Sequence, residues 1–231
     1  MVPPARKNSK ILITGFGPFP GMPENPSTTL AYELAKRAES TFPNHTFVAH
    51  SFATEWASAE RDLTRLYEIH DPILVLHFGM GNQKSAIHIE RMARNQASGE
   101  ADANGCRGCN GPILKSAPTR LKSNMPHYSV LQDLRANAIN AHISNNAGSY
   151  LCNFIYFKSL TNARAQATPP IAAFIHLPTS ICALNERRSP HIPVNRSPLL
   201  SWTDLIDAGM ILISNGLNVG RLNQRHTTRN S

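Results

Sequence analysis

The chain of 231 residues is 41% hydrophobic and 16% charged, a balance that suits one folded domain and excludes global disorder. Its formal charge of +8 is spread thinly, in nothing denser than pairs such as Lys36-Arg37 and Arg187-Arg188, which argues for loose attraction to polyanions and against a nucleic-acid site. No apolar run reaches the length of a membrane span, and MVPPARKNSK lacks the apolar core of a signal peptide, so no membrane partner is expected and the expected location is the cytoplasm.

Lys10 to Phe16 (KILITGF) reads as a buried strand opening an α/β unit. The GPFPGMPENPS that follows holds four prolines and two glycines, which forbid regular structure and make it a rigid loop where open sheets place their ligands. Ser27 is the predicted cap of a helix to about Ser40, with Leu30, Leu34 and Ala35 on one face. His45 to Ala53 alternates as a second strand, and Glu55 to Ile69 reads as a helix with Trp56, Leu63, Leu66 and Tyr67 inward. Pro72 to Gly79 (PILVLHFG) is the clearest buried strand.

After the polar turn Gly81 to Lys84, Ala86 to Asn95 is predicted extended, with Ile87 and Ile89 on one face and His88 and Glu90 on the other. A carboxylate on such a segment is usually solvated or paired with an arginine, and Arg91 and Arg94 lie close by. Gln96 to His127 has no sustained period and reads as a long irregular excursion, of the kind that is usually functional or mobile. It holds Cys106-Arg107-Gly108-Cys109, one C-x-x-C without a second pair at zinc-finger spacing. No metal or cofactor is therefore expected. With Cys152 and Cys182 the cysteines number four, and an intracellular chain would keep them as free thiols.

Val130 to Asn137 is predicted as a short helix and Ala138 to Ile143 as a strand. Asn145-Asn146-Ala147-Gly148 then reads as a tight turn into a buried helix carrying Tyr150, Leu151, Phe154, Ile155, Phe157 and Leu160, with Cys152 at its start. Free N–H groups and the positive end of a helix dipole favour the thiolate of a cysteine so placed. A buried structural cysteine is the alternative. Pro170 to Pro178 (PIAAFIHLP) is a last buried strand with His176 at its carboxyl end. Thr179 to Pro198 reads as a surface loop, and Ser201 to Leu217 as an amphipathic closing helix capped by Ser201 or Thr203. Residues 1–9 and 219–231 are expected to be flexible tails of a single domain.

A lone histidine on an apolar strand is more often a satisfied core residue than a catalyst. In an open sheet, however, side chains at the carboxyl ends of neighbouring strands share one crevice, so Cys152, His176 and Glu90 can meet as nucleophile, base and the carboxylate that orients the base. That set performs acyl transfer.

Four blocks carry a resemblance. They are T-G-F-G-P-F-P-G with N-P-S (Thr14 to Ser27), I-E-R-M-A-R-N around Glu90, S-N-N-A-G-S-Y-L-C-N around Cys152 and F-I-H-L-P around His176. In this order they resemble pyroglutamyl peptidase I, or pyrrolidone-carboxylate peptidase, over roughly Lys10 to Leu217. The resemblance implies a single-domain three-layer α/β/α sandwich around a mostly parallel, mixed sheet. It implies a cytosolic cysteine exopeptidase that removes an N-terminal pyroglutamyl residue, commonly as a homotetramer, so a dimer or tetramer is expected. Its catalytic residues fall on Cys152, His176 and Glu90. The aromatic pocket for the flat lactam falls on Phe16 and Phe19, with Tyr150 before the nucleophile and Asn25 in N-P-S.

The sequence departs from this pattern after Gly79. Bacterial members usually have a glutamine there and then a glycine-rich turn ending in arginine, whereas here the stretch is Met80-Gly81-Asn82-Gln83-Lys84. Met80 cannot donate an amide hydrogen bond to the lactam. Glu100 stands where the family pattern leads to the expectation of an arginine, and Asp102 to Gly105 matches the family only loosely. The alternative to an active peptidase is accordingly a family member that binds a small amide or peptide and catalyses weakly or not at all.

Overall fold

The computed structural model describes residues 9–19, 21–182 and 199–227. The chain runs β1 (Ser9–Phe16), α1 (Pro26–Thr41), β2 (His45–Phe52), α2 (Trp56–His70), β3 (Leu74–Met80), β4 (Ile87–Glu90) and β5 (Met92–Arg94). It continues through β6 (Arg120–Lys122), α3 (His127–Ala136), β7 (Ala141–Ser144), α4 (Leu151–Ala165), β8 (Ile171–Leu177), β9 (Ile181–Cys182), β10 (Leu200–Ser201) and α5 (Trp202–Thr227). The main sheet has the order β2-β1-β3-β8-β4-β7. Every neighbouring pair in it is parallel except β4 with β8. This is the expected mixed, mostly parallel sheet.

Both faces of the sheet are covered, because alternate residues of each strand point opposite ways. Ile11, Ile13, Leu74 and Leu76 bury against Leu30, Leu34, Val130, Leu205 and Leu212 of α1, α3 and α5. Leu12, Val75, Ala172 and Phe174 bury against Leu63, Ile155 and Phe157 of α2 and α4. Three layers result. Burying one such Leu, Ile or Phe contributes about 1.5–3 kcal/mol, so the sheet is held from both sides along its whole length.

Several local expectations are corrected. The cap of α1 is Asn25, whose Oδ1 accepts from the backbone N–H of Ser27 at 3.1 Å, with Pro26 at the first helical position. Ser27 is instead buried, its Oγ accepting from the N–H of Phe16 at 3.0 Å. β7 begins only at Ala141, since Ala138 takes a left-handed φ of 57° that ends α3 and turns the chain. The extended run after Ala86 breaks at Arg91 into β4 and β5. Inside the excursion, β6 pairs antiparallel with β5, a short strand that the polar composition hides.

α5 does not stop at Leu217 but runs to Thr227, and Ser9 already belongs to β1. Ser201 does cap α5, its Oγ accepting from the N–H of Asp204 at 3.1 Å. Residues 1–8 and 228–231, which fall in the predicted tails, and 183–198, in the predicted surface loop, lie outside the described residues. No helix among the described residues is long and apolar enough to cross a membrane.

Candidate active site

The carboxyl ends of β1, β3 and β8 open into a cavity of about 490 Å3, closed on one side by the start of α4. Cys152, His176, Glu90, Phe16, Phe19, Asn25, Met80 and Tyr150 all line it. The sheet brings together residues that the chain separates widely.

Cys152 is the second residue of α4, half-buried and a free thiol. Tyr150, the residue before the helix, makes no side-chain hydrogen bond to the first turn. Space for the thiol comes from Gly79 at the end of β3. A Cβ there would lie 3.0 Å from Cys152 Sγ and 2.9 Å from the Phe174 ring, so only glycine fits without a shift. Gly148, with φ +83°, makes the turn that aims α4 at this point.

His176 Nδ1 lies 2.9 Å from Glu90 Oε1, and Cys152 stands close enough to the ring to act on its charge. Burial alone lowers the imidazole pKa, but the hydrogen bonds and negative charges of Cys152 and Glu90 outweigh it and raise it to about 9. Glu90 is 1% exposed, and its Oε2 accepts from the Asn146 N–H at 3.1 Å. Glu90 is thus neither solvated nor paired with an arginine. Arg91 turns to Asn145 Oδ1 at 2.8 Å and Arg94 to the Gly148 carbonyl at 3.1 Å. The Glu90 backbone is fastened as well, its carbonyl accepting from Tyr156 OH at 2.7 Å and from His127 Nε2 at 3.3 Å.

On the β1 side, Phe16 packs against the rings of Phe52 and Phe174 with centroids 5.8 and 6.4 Å away. Phe19 pairs with Met22 through two backbone hydrogen bonds that stiffen the proline loop. The Asn25 side chain is committed internally, donating to the Gly17 carbonyl at 3.1 Å and accepting from Ser27. Tyr150 stands edge-on to Trp56 at 5.2 Å, and its hydroxyl donates to the Ala101 carbonyl at 3.1 Å.

Sequence reasoning passed over four participants. Gly79, near the end of β3, makes room for the Cys152 thiol. Asn153, fully buried, accepts from the Arg94 N–H and donates to the Arg94 and Gln96 carbonyls, tying α4 to β5. Gln83 Nε2 donates to the His176 carbonyl at 3.3 Å and so fastens the Met80 turn to β8. Asp102, 5% exposed, accepts from the N–H groups of Trp56, Asn104 and Cys106, docking the excursion on the start of α2. A polar residue inside a block that is otherwise aromatic and apolar, as Asn153 is in YLCNFIYF, was the available signal.

Cys106 and Cys109 are exposed free thiols, away from the cavity lining. Among the described residues no group of three or more His, Cys, Asp or Glu could hold a metal ion.

The sequence model of a family described as pyroglutamyl peptidase matches residues 9–197. The pyrrolidone-carboxylate peptidase of Pyrococcus furiosus is 32% identical over 73% of this chain and 80% of its own length. That of Levilactobacillus brevis is 31% identical over 84% and 91%. Among solved structures, the pyrrolidone carboxyl peptidase from Thermococcus litoralis superposes with a TM-score of 0.78 at 27% identity, covering 93% of this chain and 96% of that one. A mutant of the Pyrococcus furiosus enzyme gives 0.77 at 28%, covering 90% and 98%.

Proposed function

The chain belongs to the pyroglutamyl peptidase family, cysteine peptidases that remove N-terminal pyroglutamate, and from that premise we propose that Cys152, His176 and Glu90 perform this hydrolysis here. The observation that carries the reading is His176 placed beside a buried carboxylate and Cys152, with two phenylalanines lining the same cavity. An imidazole with a pKa of about 9 is protonated at neutral pH, and the nucleophile of the proposed reaction is the Cys152 thiolate beside it.

The thiolate attacks the carbonyl carbon of the pyroglutamyl residue, and the first-turn N–H groups of α4, which receive no side-chain cap, donate to the developing oxyanion. The C–N bond then breaks as His176 gives its proton to the departing amine. Neutral His176 next takes a proton from water as the water attacks the thioester, and the Cys152 thiolate leaves. Glu90 keeps Nδ1 of the ring occupied, so that Nε2 serves the reaction.

Phe16 and Phe19 supply flat apolar faces for a neutral lactam, with Tyr150 and Met80 completing the substrate wall. Asn25 acts in this site by fixing the loop, since its amide caps α1 and holds Gly17. No metal or cofactor takes part in these steps. The protein works as a homo-oligomer in the cytoplasm, which sedimentation of the purified chain and microscopy of the tagged protein test.

Release of aminomethylcoumarin from its pyroglutamyl amide, measured beside Cys152→Ala and a titration of the reactive thiol, decides the reading. Turnover dependent on Cys152 is expected. Turnover no higher than that of the alanine variant, with a pyroglutamyl ligand still bound, would leave a binding protein. Met80→Gln should raise kcat/KM by roughly two- to tenfold if an added amide gains one neutral hydrogen bond of ~0.5–1.5 kcal/mol. An unchanged or lower value would mean that the lactam is already satisfied.

A further inference from the structure

The sheet order sets an axis through the cavity. On one side of β8 lie β3 and β1, with Phe16 at the end of β1 and Phe19 in the loop that follows; on the other side lies β4. His176 stands between them and, in the proposed reaction, protonates the amine that leaves. The departing part of the substrate must therefore lie on the His176 side of the scissile bond, away from Phe16. The next strand along that direction presents His88.

His88 is paired in register with His176 on β8 and with His142 on β7, so the three imidazoles stand in a row on one face of the sheet. The rings of His88 and His142 meet edge-on at 5.9 Å. His88 lines the cavity and is half-buried, which leaves it able to meet a ligand. Neither His88 nor His142 has a role in the proposed hydrolysis.

The charge along the axis is uneven. Glu100 lines the cavity on the α2 side, where its carbonyl accepts from Trp56 Nε1. On the β4 side the only carboxylate among the described lining residues is Glu90, already engaged by His176 and the Asn146 N–H. Asn146 also has its side-chain oxygen engaged, accepting from the Gly148 N–H at 3.2 Å, so its amide presents donors. Among the described residues the leaving side thus offers imidazole and amide donors and no free acceptor carboxylate.

We infer that His88 is a specificity-determining residue for the leaving part of the substrate, favouring peptides whose second residue is aspartate or glutamate. The inference rests on the reading of the site as a pyroglutamyl peptidase. Neutral His88 donates one hydrogen bond to the carboxylate, and protonated His88 adds charge. Burial lowers the His88 pKa; Glu90 on its own strand opposes that, while His142 and His176 on the neighbouring strands reinforce it. The acidic preference should therefore strengthen as pH falls below the ordinary histidine range, near 6.5.

The test compares kcat/KM on two matched tetrapeptides, pyroglutamyl-Glu-Ala-Ala and pyroglutamyl-Ala-Ala-Ala, between pH 5.5 and 8. Wild type should prefer the glutamyl peptide, more so at the acid end. His88→Ala should lower the Glu-to-Ala ratio three- to tenfold, the range for one partly solvated polar contact. His88→Gln, which keeps a donor but cannot be charged, should retain part of the preference at pH 8 and lose its rise at pH 5.5. Equal losses on both peptides would mean that His88 acts only through His176, and would overturn the inference. A wild-type ratio near one, or a ratio unaffected by both substitutions, would overturn it while leaving the peptidase reading intact. Failure of wild type to cleave either peptide would sink both.

Discussion

Two buried histidines on adjacent strands of the same sheet behave in opposite ways. His77 on β3 is fully buried, its Nδ1 2.7 Å from Thr14 Oγ1 and its Nε2 2.8 Å from Ser159 Oγ, which in turn meets Tyr67 OH at 2.8 Å. Burial lowers its pKa to about 3. His176 on β8 is nearly as buried, yet its pKa rises to about 9, because burial is outweighed by Cys152 and Glu90. Neutral hydroxyls satisfy an imidazole's hydrogen bonds without stabilising its charge, whereas a carboxylate and a thiol that can ionise do both. Burial alone therefore says nothing about which histidine reacts. The partners decide.

The largest expected effect comes from removing one charge partner outright. Cys152→Ala should cut kcat/KM on the order of 10^4-fold or more, as loss of a covalent nucleophile does. Alkylation by iodoacetamide, followed by mass spectrometry, should place the inactivating label on Cys152. Activity that survives full modification there would remove the mechanism.

Next in size is Glu90→Gln, which gives His176 a neutral partner and so makes it more like His77. We expect a fall of roughly 10^3-fold in kcat, since the ring loses its orienting carboxylate and its charge stabilisation. The wild-type pH profile should lose activity as pH rises through about 9, where His176 gives up its proton. In the glutamine variant this basic limb should move to lower pH. An unmoved limb would mean that Glu90 does not set the imidazole pKa.

Stability should divide the two histidines by pH. The folded pKa of His176 lies above the unfolded value of 6.5, so its contribution is fully present below pH 6.5 and is lost as pH rises through about 9. The folded pKa of His77 lies below that value, so its contribution is present above pH 6.5 and is lost as pH falls toward 3. Replacing His77 by glutamine should shift the acid unfolding midpoint, followed by circular dichroism, to lower pH.

A smaller effect tests the neutral partners. Ser159→Ala leaves His77 Nε2 and Tyr67 OH short of a buried partner, and should cost about 1–3 kcal/mol. For a chain of this size that is a fall of roughly 2–4 °C in Tm per kcal/mol. Activity per folded molecule should change far less than in Glu90→Gln. Smallest of all, Cys106→Ser with Cys109→Ser should leave kcat/KM within about twofold, because both thiols are exposed and outside the cavity lining.

Much of this was legible in residue order. β1, β3 and β8 are mostly apolar runs, and the first two turns of α4 are mainly aromatic and aliphatic, because both faces of a mostly parallel sheet and the helix end packed against it must be buried; that pattern is written in the sequence itself. The four motif blocks named Cys152, His176 and Glu90, and a cysteine at a helix start after a turn is visible locally. What the sequence could not determine depends on contacts between distant segments. Whether Glu90 is solvated or buried against His176 follows from the antiparallel pairing of β4 with β8, across 86 positions of chain. The use of Asn25 as a cap, Asp102 as an anchor for α2, and Gly79 as room for a thiol likewise needs the partner group in place. Hydrogen bonds and pKa values are set by the neighbours within a few ångströms. Only the folded chain decides who those neighbours are.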